Sequence, residues 1–132
     1  MILVTGATGF VGRAFVERLA SDTVEQQIIV AVRNRVKDWP NRVCEFLIQD
    51  VNSKTDWRSV LQGIDVVVHL AARVHVMNEK SNDPLAEFRK VNVDGTANLA
   101  RQAAALGVRR FVFLSSVKVN GEFTKIGSPF KV

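Results

Sequence analysis

The stretch Val4-Thr5-Gly6-Ala7-Thr8-Gly9-Phe10-Val11-Gly12 has the residue types and spacing to hold a dinucleotide by its phosphates. Each glycine has its own task. Gly6 permits a tight turn out of a strand, Gly9 has no side chain to keep a pyrophosphate off the backbone, and Gly12 lets the next helix lie close to the sheet. Free N–H groups at the helix start, with Ala7, Thr8, Phe10 and Val11 around the glycines, would face the phosphates, and the helix dipole would favour their charge. A simple tight turn also uses glycines. Context favours the phosphate site: the apolar run Met1–Val4 precedes it, and Phe10, Ala14, Phe15 and Leu19 follow at helical spacing.

Other residues offer narrower chemistry. About twenty positions past such a turn, an acid binds the ribose 2′-hydroxyl, whereas an arginine suits a 2′-phosphate. This chain has Arg33 there and no acid, which points to NADP over NAD; a solvated surface arginine is the alternative. His69 lies inside an apolar run and reads as a satisfied core histidine rather than a catalyst. Arg73 and His75 follow in a polar stretch where either could face a ligand. Cys44, the only cysteine, reads as a small core hydrophobe on a strand; it excludes an intrachain disulfide and a cysteine metal cluster.

These residues need a scaffold of alternating strands and helices. Gln27–Val32 is a continuous apolar run of the kind a parallel strand covered on both faces requires. Residues 34–41 are polar and include Pro40, so they read as a loop or short irregular helix. Arg42–Gln49 alternates and ends at Asp50-Val51. Thr55–Leu61 reads as a short helix closed by Gly63. Asp65–Ala72 is the next buried strand, and its small end, Leu70-Ala71-Ala72, lets the chain pass close to a ligand. Asp83-Pro84 is a strong helix start. From there Leu85, Phe88, Val91, Ala97, Leu99, Ala100 and Ala103 keep one apolar face as far as Leu106-Gly107, the longest element. Arg109–Leu114 is a fifth buried strand and runs into Ser115-Ser116.

With 132 residues, 47% of them apolar, the chain buries one core and forms one domain. The net charge of +5 could suit nucleic acid, but the basic residues are scattered among acids. Their one local cluster, Arg33, Arg35 and Lys37, adjoins the expected phosphate site, so an anionic cofactor is the better partner. The opening apolar segment is too short for a signal peptide and no run approaches membrane-spanning length. A soluble, cytoplasmic protein without membrane or nucleic-acid partners is expected.

The spacing Gly-x-x-Gly-x-x-Gly after Thr5 resembles the turn of the extended short-chain dehydrogenase/reductases, the NAD-dependent epimerase/dehydratase family. Four further stretches match in order: Asp50-Val51 after the third strand, His69-Leu70-Ala71-Ala72 ending the fourth, Asn92-Val93-Asp94-Gly95-Thr96 in the long helix, and Ser115-Ser116 after the fifth strand. The resemblance implies that Asp50 bonds the adenine edge while Val51 packs on the ring, although Asp50 could equally cap the next turn. It places Leu70, Ala71 and Ala72 along the cofactor and Asn92 near it, with an ordinary surface asparagine as the alternative. Ser116 takes the position of the catalytic serine at the sugar hydroxyl; strand-ending serines are otherwise turn formers. Asn120 replaces the family's usual Tyr, a departure compatible with enzymes of surface-polysaccharide sugars.

The implied fold is α/β: a Rossmann-type, doubly wound parallel sheet of about five strands in the order 3-2-1-4-5, truncated. Residues 1–132 would be an NAD(P)-binding domain without its carboxyl-terminal substrate domain. The implied parent is a nucleotide-sugar epimerase, dehydratase or ketoreductase acting on a UDP-linked hexose by hydride transfer at C4. The family's Tyr-x-x-x-Lys base is missing, since the chain contains no Tyr, so these residues alone are expected to be catalytically incomplete. A non-catalytic NAD(P)-sensing module is the alternative. Truncation after the fifth strand should expose an apolar face and a sheet edge, and self-association into a homo-oligomer is expected.

Overall fold

The structure, a computed structural model, describes residues 1–22, 26–74 and 81–130. Its centre is β1 (Ile2–Thr5), flanked in parallel by β2 (Ile28–Val32) and β4 (Val66–His69). β3 (Val43–Leu47) lies outside β2 and β5 (Arg110–Phe113) outside β4, giving the expected order β3-β2-β1-β4-β5. Residues across the sheet stand in register, Ile2 beside Ile28 and Val66, Leu3 beside Ile29 and Val67. Alternation then sends Val4, Val30 and Val68 to one face and Leu3, Ala31 and Val67 to the other. The central strands must therefore be apolar on both sides.

Helix α1 (Phe10–Ala20) covers the first face. Its buried residues are Gly12 and Val16, with Phe15 and Leu19 packed against the core. Phe10 and Ala14, expected on this face, are exposed, Phe10 to 95%. At 100° per residue, Phe10 lies about 160° around the helix from Gly12, so the glycine that must touch the turn sends Phe10 outward.

The second face is covered by α2 (Arg58–Leu61) and by a long helix built of α3 (Pro84–Arg89), a wider π-helical turn (Lys90–Gly95) and α4 (Thr96–Ala105). Leu3, Leu61 and Leu99 are fully buried there and contribute about 2 kcal/mol each by area. Both ends of the long helix follow the sequence: Asp83 Oδ1 accepts Ala86 N–H, and Gly107 closes the other end at φ +77°. The π turn is not legible in the pattern. It advances the register, so Leu85 and Ala97 are exposed while Gly95 and Asn98 are buried.

Three further expectations need correction. Helix α2 starts at Arg58, not Thr55, because long-helix amides capture the backbone ahead of it: Gln102 Oε1 accepts Trp57 N–H, and Asn98 and Gln102 both donate to Thr55 O. Cys44 is exposed, since β3 is an edge strand and the helices do not reach across it. β5 is likewise an edge strand and not buried, with Val112 42% and Phe113 52% exposed. The apolar face and open edge expected there are present.

Candidate functional site

All five strands are parallel, so the segments after them share one edge of the sheet, where doubly wound folds bind ligands. The glycine turn follows β1, Arg33 follows β2, Asp50-Val51 follows β3, Leu70-Ala71-Ala72 follows β4 and Ser116 follows β5. Every site residue read from the sequence except Asn92 comes from one of these segments, and Asn92 reaches the edge from the π turn.

The turn is closed by backbone contacts. Gly6 has φ +71°, and a Cβ on it would stand 2.5 Å from Ala71 N and 2.6 Å from the Leu70 carbonyl carbon. Gly6 is therefore needed for its conformation and for the approach of β4. A Cβ on Gly12 would stand 2.1 Å from Gly6 O. The close approach expected of Gly12 is thus to the turn itself rather than to the flat of the sheet. Gly9 is the exposed N-cap in extended conformation, donates to Gly6 O at 3.1 Å, and accepts the first helical bond from Arg13. The N–H groups of Phe10, Val11 and Gly12 consequently have no acceptor within the helix. Ala7 is buried beneath them, while Thr8 and Val11 are exposed. An exposed N-cap without a side chain, over free donors at the positive end of an eleven-residue helix, fits a pyrophosphate.

The segment after β4 is held from two sides. Leu70 N–H continues the ladder to Thr5 O, and Ala71 N–H donates to Thr5 Oγ1. Asn92 Oδ1 accepts Arg73 N–H at 2.7 Å while its Nδ2 donates to Arg73 O at 3.0 Å. Asn92 therefore orients the segment rather than standing as a bare surface amide. Asn92→Ala should lower stability by about 1–2 kcal/mol in urea titration, and Asn92→Asp, which sets a carboxylate oxygen against Arg73 O in place of the donor, by at least as much.

His69 is fully buried. Its Nδ1 lies 2.6 Å from Thr5 Oγ1 and its Nε2 2.9 Å from Thr96 Oγ1. Thr5 Oγ1 already accepts Ala71 N–H, which leaves its proton for Nδ1; we assign the Nε2–H tautomer, donating to Thr96. Burial pushes the imidazole pKa down to about 4, so the ring is neutral near pH 7. This is the satisfied core histidine read from the sequence.

Thr96 ends the motif that Asn92 begins, and the glycine between them also has a contact of its own. A Cβ on Gly95 would stand 2.8 Å from Val51 Cγ1 and 2.9 Å from Val51 O. The six-residue turn and the first residue of α4 thus touch the segments after β3 and β4 and the last residue of β4. Asn92, Gly95, Thr5 and Thr96 all stand in motifs read from the sequence, whereas Asn98 and Gln102 carry no such signal, and the partner of each is distant in the chain.

The remaining residues have local roles. Asp50 Oδ1 accepts Val51 N–H and its Oδ2 accepts from Asn52 Nδ2 at 3.4 Å, the turn-capping alternative for this carboxylate, with lone pairs to spare. Ser116 Oγ accepts Lys118 N–H as the cap of the short 3₁₀ turn Val117–Asn120 and is exposed. Arg33 is exposed, with no hydrogen-bond or ion-pair partner among the described residues. Arg73 stacks over Phe88. His75 lies outside the described residues.

A dinucleotide-binding α/β domain is the class of protein that this sheet order and glycine turn define. The chain belongs to the NAD dependent epimerase/dehydratase family, which it matches over residues 2–131. It is 48% identical over 132 residues to the UDP-glucose 4-epimerase of Vibrio cholerae, covering 98% of this chain and 39% of that protein. It is 30% identical over 135 residues to the 3 beta-hydroxysteroid dehydrogenase/Delta 5-->4-isomerase of Monkeypox virus, covering 96% of this chain and 36% of that protein. Among solved structures, MoeE5 in complex with UDP-glucuronic acid and NAD is similar with a TM-score of 0.78 at 29% identity, covering 93% of this chain and 39% of that one. The chain thus spans about two fifths of the length of these relatives. A nicotinamide dinucleotide is the cofactor class of the family. No helix among the described residues is long and apolar enough to cross a membrane.

Proposed function

We propose that this chain is the cofactor-binding part of a nucleotide-sugar epimerase, dehydratase or ketoreductase that moves a hydride at C4 of a UDP-linked hexose. The observation that carries the reading is the glycine turn, open at Gly9 and closed against backbone at Gly6 and Gly12, at the centre of the parallel sheet. The similarity to UDP-glucose 4-epimerase supports the substrate class. When bound, the dinucleotide supplies the hydride acceptor. The helix-start N–H groups hold its pyrophosphate, Asp50 and Val51 meet the adenine, and Leu70, Ala71 and Ala72 line the nicotinamide half. Ser116 hydrogen-bonds the sugar hydroxyl being oxidised. These 132 residues contain no Tyr, so a tyrosine base would come from outside them, and alone they bind without turnover.

Arg33, exposed where the ribose would lie and without an acid beside it in sequence, favours NADP over NAD. The test is a titration of the chain with NADPH, NADP, NADH and NAD, followed by nicotinamide fluorescence and thermal shift. Tighter binding of the phosphorylated pair is expected, with Arg33→Asp lowering their affinity by about tenfold or more and sparing NAD and NADH. Equal binding of all four would refute the Arg33 assignment.

The alternative is a module that senses NAD(P) without chemistry. Cofactor binding with no sugar-nucleotide turnover by the longest natural form of the protein would select it. A cytoplasmic role in polysaccharide-sugar synthesis and a homo-oligomeric state complete the proposal. The exposed Phe113, Leu114, Val117, Val119 and Phe123 support association, which light scattering would detect.

A further inference from the structure

The loop between β2 and β3 carries Arg33, Arg35 and Lys37 and has no helix or strand of its own. An unanchored loop would spend its ordering entropy on each ligand it met. This one is anchored at both sides. Glu45, on β3, is 11% exposed; its Oε1 accepts Val36 N–H at 2.7 Å and the indole Nε1–H of Trp39 at 2.8 Å. The Arg13 guanidinium lies 4.6 Å from the centroid of the Trp39 ring, and its Nη2 donates to Asp38 O at 2.9 Å. Arg13 is in turn fixed by Glu17 Oε1 at 2.7 Å. Asp38 takes φ +66°, rare for a residue other than glycine, and the contacts on either side of it hold it there.

Arg13 immediately follows Gly12, so these contacts tie the β2–β3 loop directly to the first turn of the phosphate helix. Arg33 and Lys37 are left exposed, and Arg35 lies 3.9 Å from Glu45 Oε2. We propose that Glu45, Trp39 and Arg13 are positioning residues that set selectivity for a dinucleotide 2′-phosphate by fixing the 33–39 loop relative to the glycine turn. The inference rests on the reading of Arg33 given above. A dinucleotide without the phosphate gains nothing from a positioned arginine, so the staple acts on the difference between two affinities rather than on both. The N–H groups of Val36 and Trp39, with Arg35, hold the Glu45 carboxyl below the usual carboxylate range, and it stays ionised at neutral pH.

The test measures the dissociation constants of NADP and NAD for the whole chain and for Trp39→Leu, Trp39→Phe and Arg33→Asp, with thermal melts to establish folding. In Trp39→Leu the preference for NADP should fall about tenfold while the NAD constant stays within about twofold. Trp39→Phe keeps a ring beneath Arg13 but loses the bond to Glu45; it should lose about threefold and carries the test if the leucine variant does not fold. Equal weakening of both ligands, or an unchanged ratio, overturns the staple and leaves Arg33 standing if Arg33→Asp alone removes the preference. A native chain with no preference, or with no binding of either dinucleotide, overturns both.

Discussion

Gly12→Ala should cost about 3 kcal/mol or more of stability and abolish measurable dinucleotide binding. The added methyl would stand 2.1 Å from Gly6 O, 2.8 Å from Ala7 Cα and 2.8 Å from Gly6 C. All three are backbone atoms of the turn, so no side-chain rotation relieves the overlap, and the start of α1 has to move away. That movement breaks the arrangement in which Gly9 donates to Gly6 and accepts from Arg13. Gly9→Ala is the informative partner. Its methyl would meet only Gly6 O, at 3.3 Å, and the residue has an ordinary extended backbone. It should cost less than about 1 kcal/mol, yet place a carbon at the mouth of the phosphate cradle. Urea titration and nucleotide binding on the two variants separate the effects: Gly12→Ala fails in both, Gly9→Ala in binding alone. Native-like stability of Gly12→Ala would show that the close approach of helix to turn is not needed.

Stability should also fall by about 3 kcal/mol as the pH is lowered from about 6.5 to about 4, with His69 responsible. Its folded pKa is depressed to about 4 by burial, whereas an unfolded imidazole titrates near its ordinary value. Between those values the unfolded chain takes up a proton that the folded chain refuses, so the unfolded state gains. Above the window both forms are neutral and the full stability is present; below it both are protonated and this loss is complete. Among the described residues the other shifted carboxyls act mainly below the window. Asp56 is held at about 2 by the Arg58 side chain, Asp65 is lowered by the N-terminal ammonium, and Glu45 by the Val36 N–H. These carboxylates begin to lose their stabilisation near the bottom of the window, as the unfolded carboxyls protonate, and lose the rest below it. Urea titrations at several pH values, repeated on His69→Leu, would check this. The variant loses stability overall, because Thr5 and Thr96 lose a partner, but its slope between about pH 6.5 and about pH 5, above the onset of carboxylate titration, should vanish. A slope that survives in His69→Leu would place the titration elsewhere.

What the chain's own sequence determines is everything carried by short-range pattern. Apolar runs on both sides of the glycines dictate buried parallel strands; Asp83-Pro84 and Gly107 dictate the ends of the long helix; Gly6, Gly9 and Gly12 dictate a turn that few other residues can form. Strand order follows, because strands alternating with helices close in few ways, and the segments after the strands then share one edge. Tertiary structure alone decides what those residues touch. Gly12 meets the turn, not the sheet; Asn92 holds Arg73; Cys44 and β5 lie at open edges. The π turn moves the buried face by a step that no period of 3.6 contains, and it brings Thr96 to His69 and Gly95 to Val51. The Arg13–Trp39–Glu45 contacts join three segments whose spacing in the chain carries no signal. Local pattern fixes where backbone hydrogen bonds can form, whereas side-chain partners are chosen by the packing of elements far apart in the chain, which appears only after the sheet has closed.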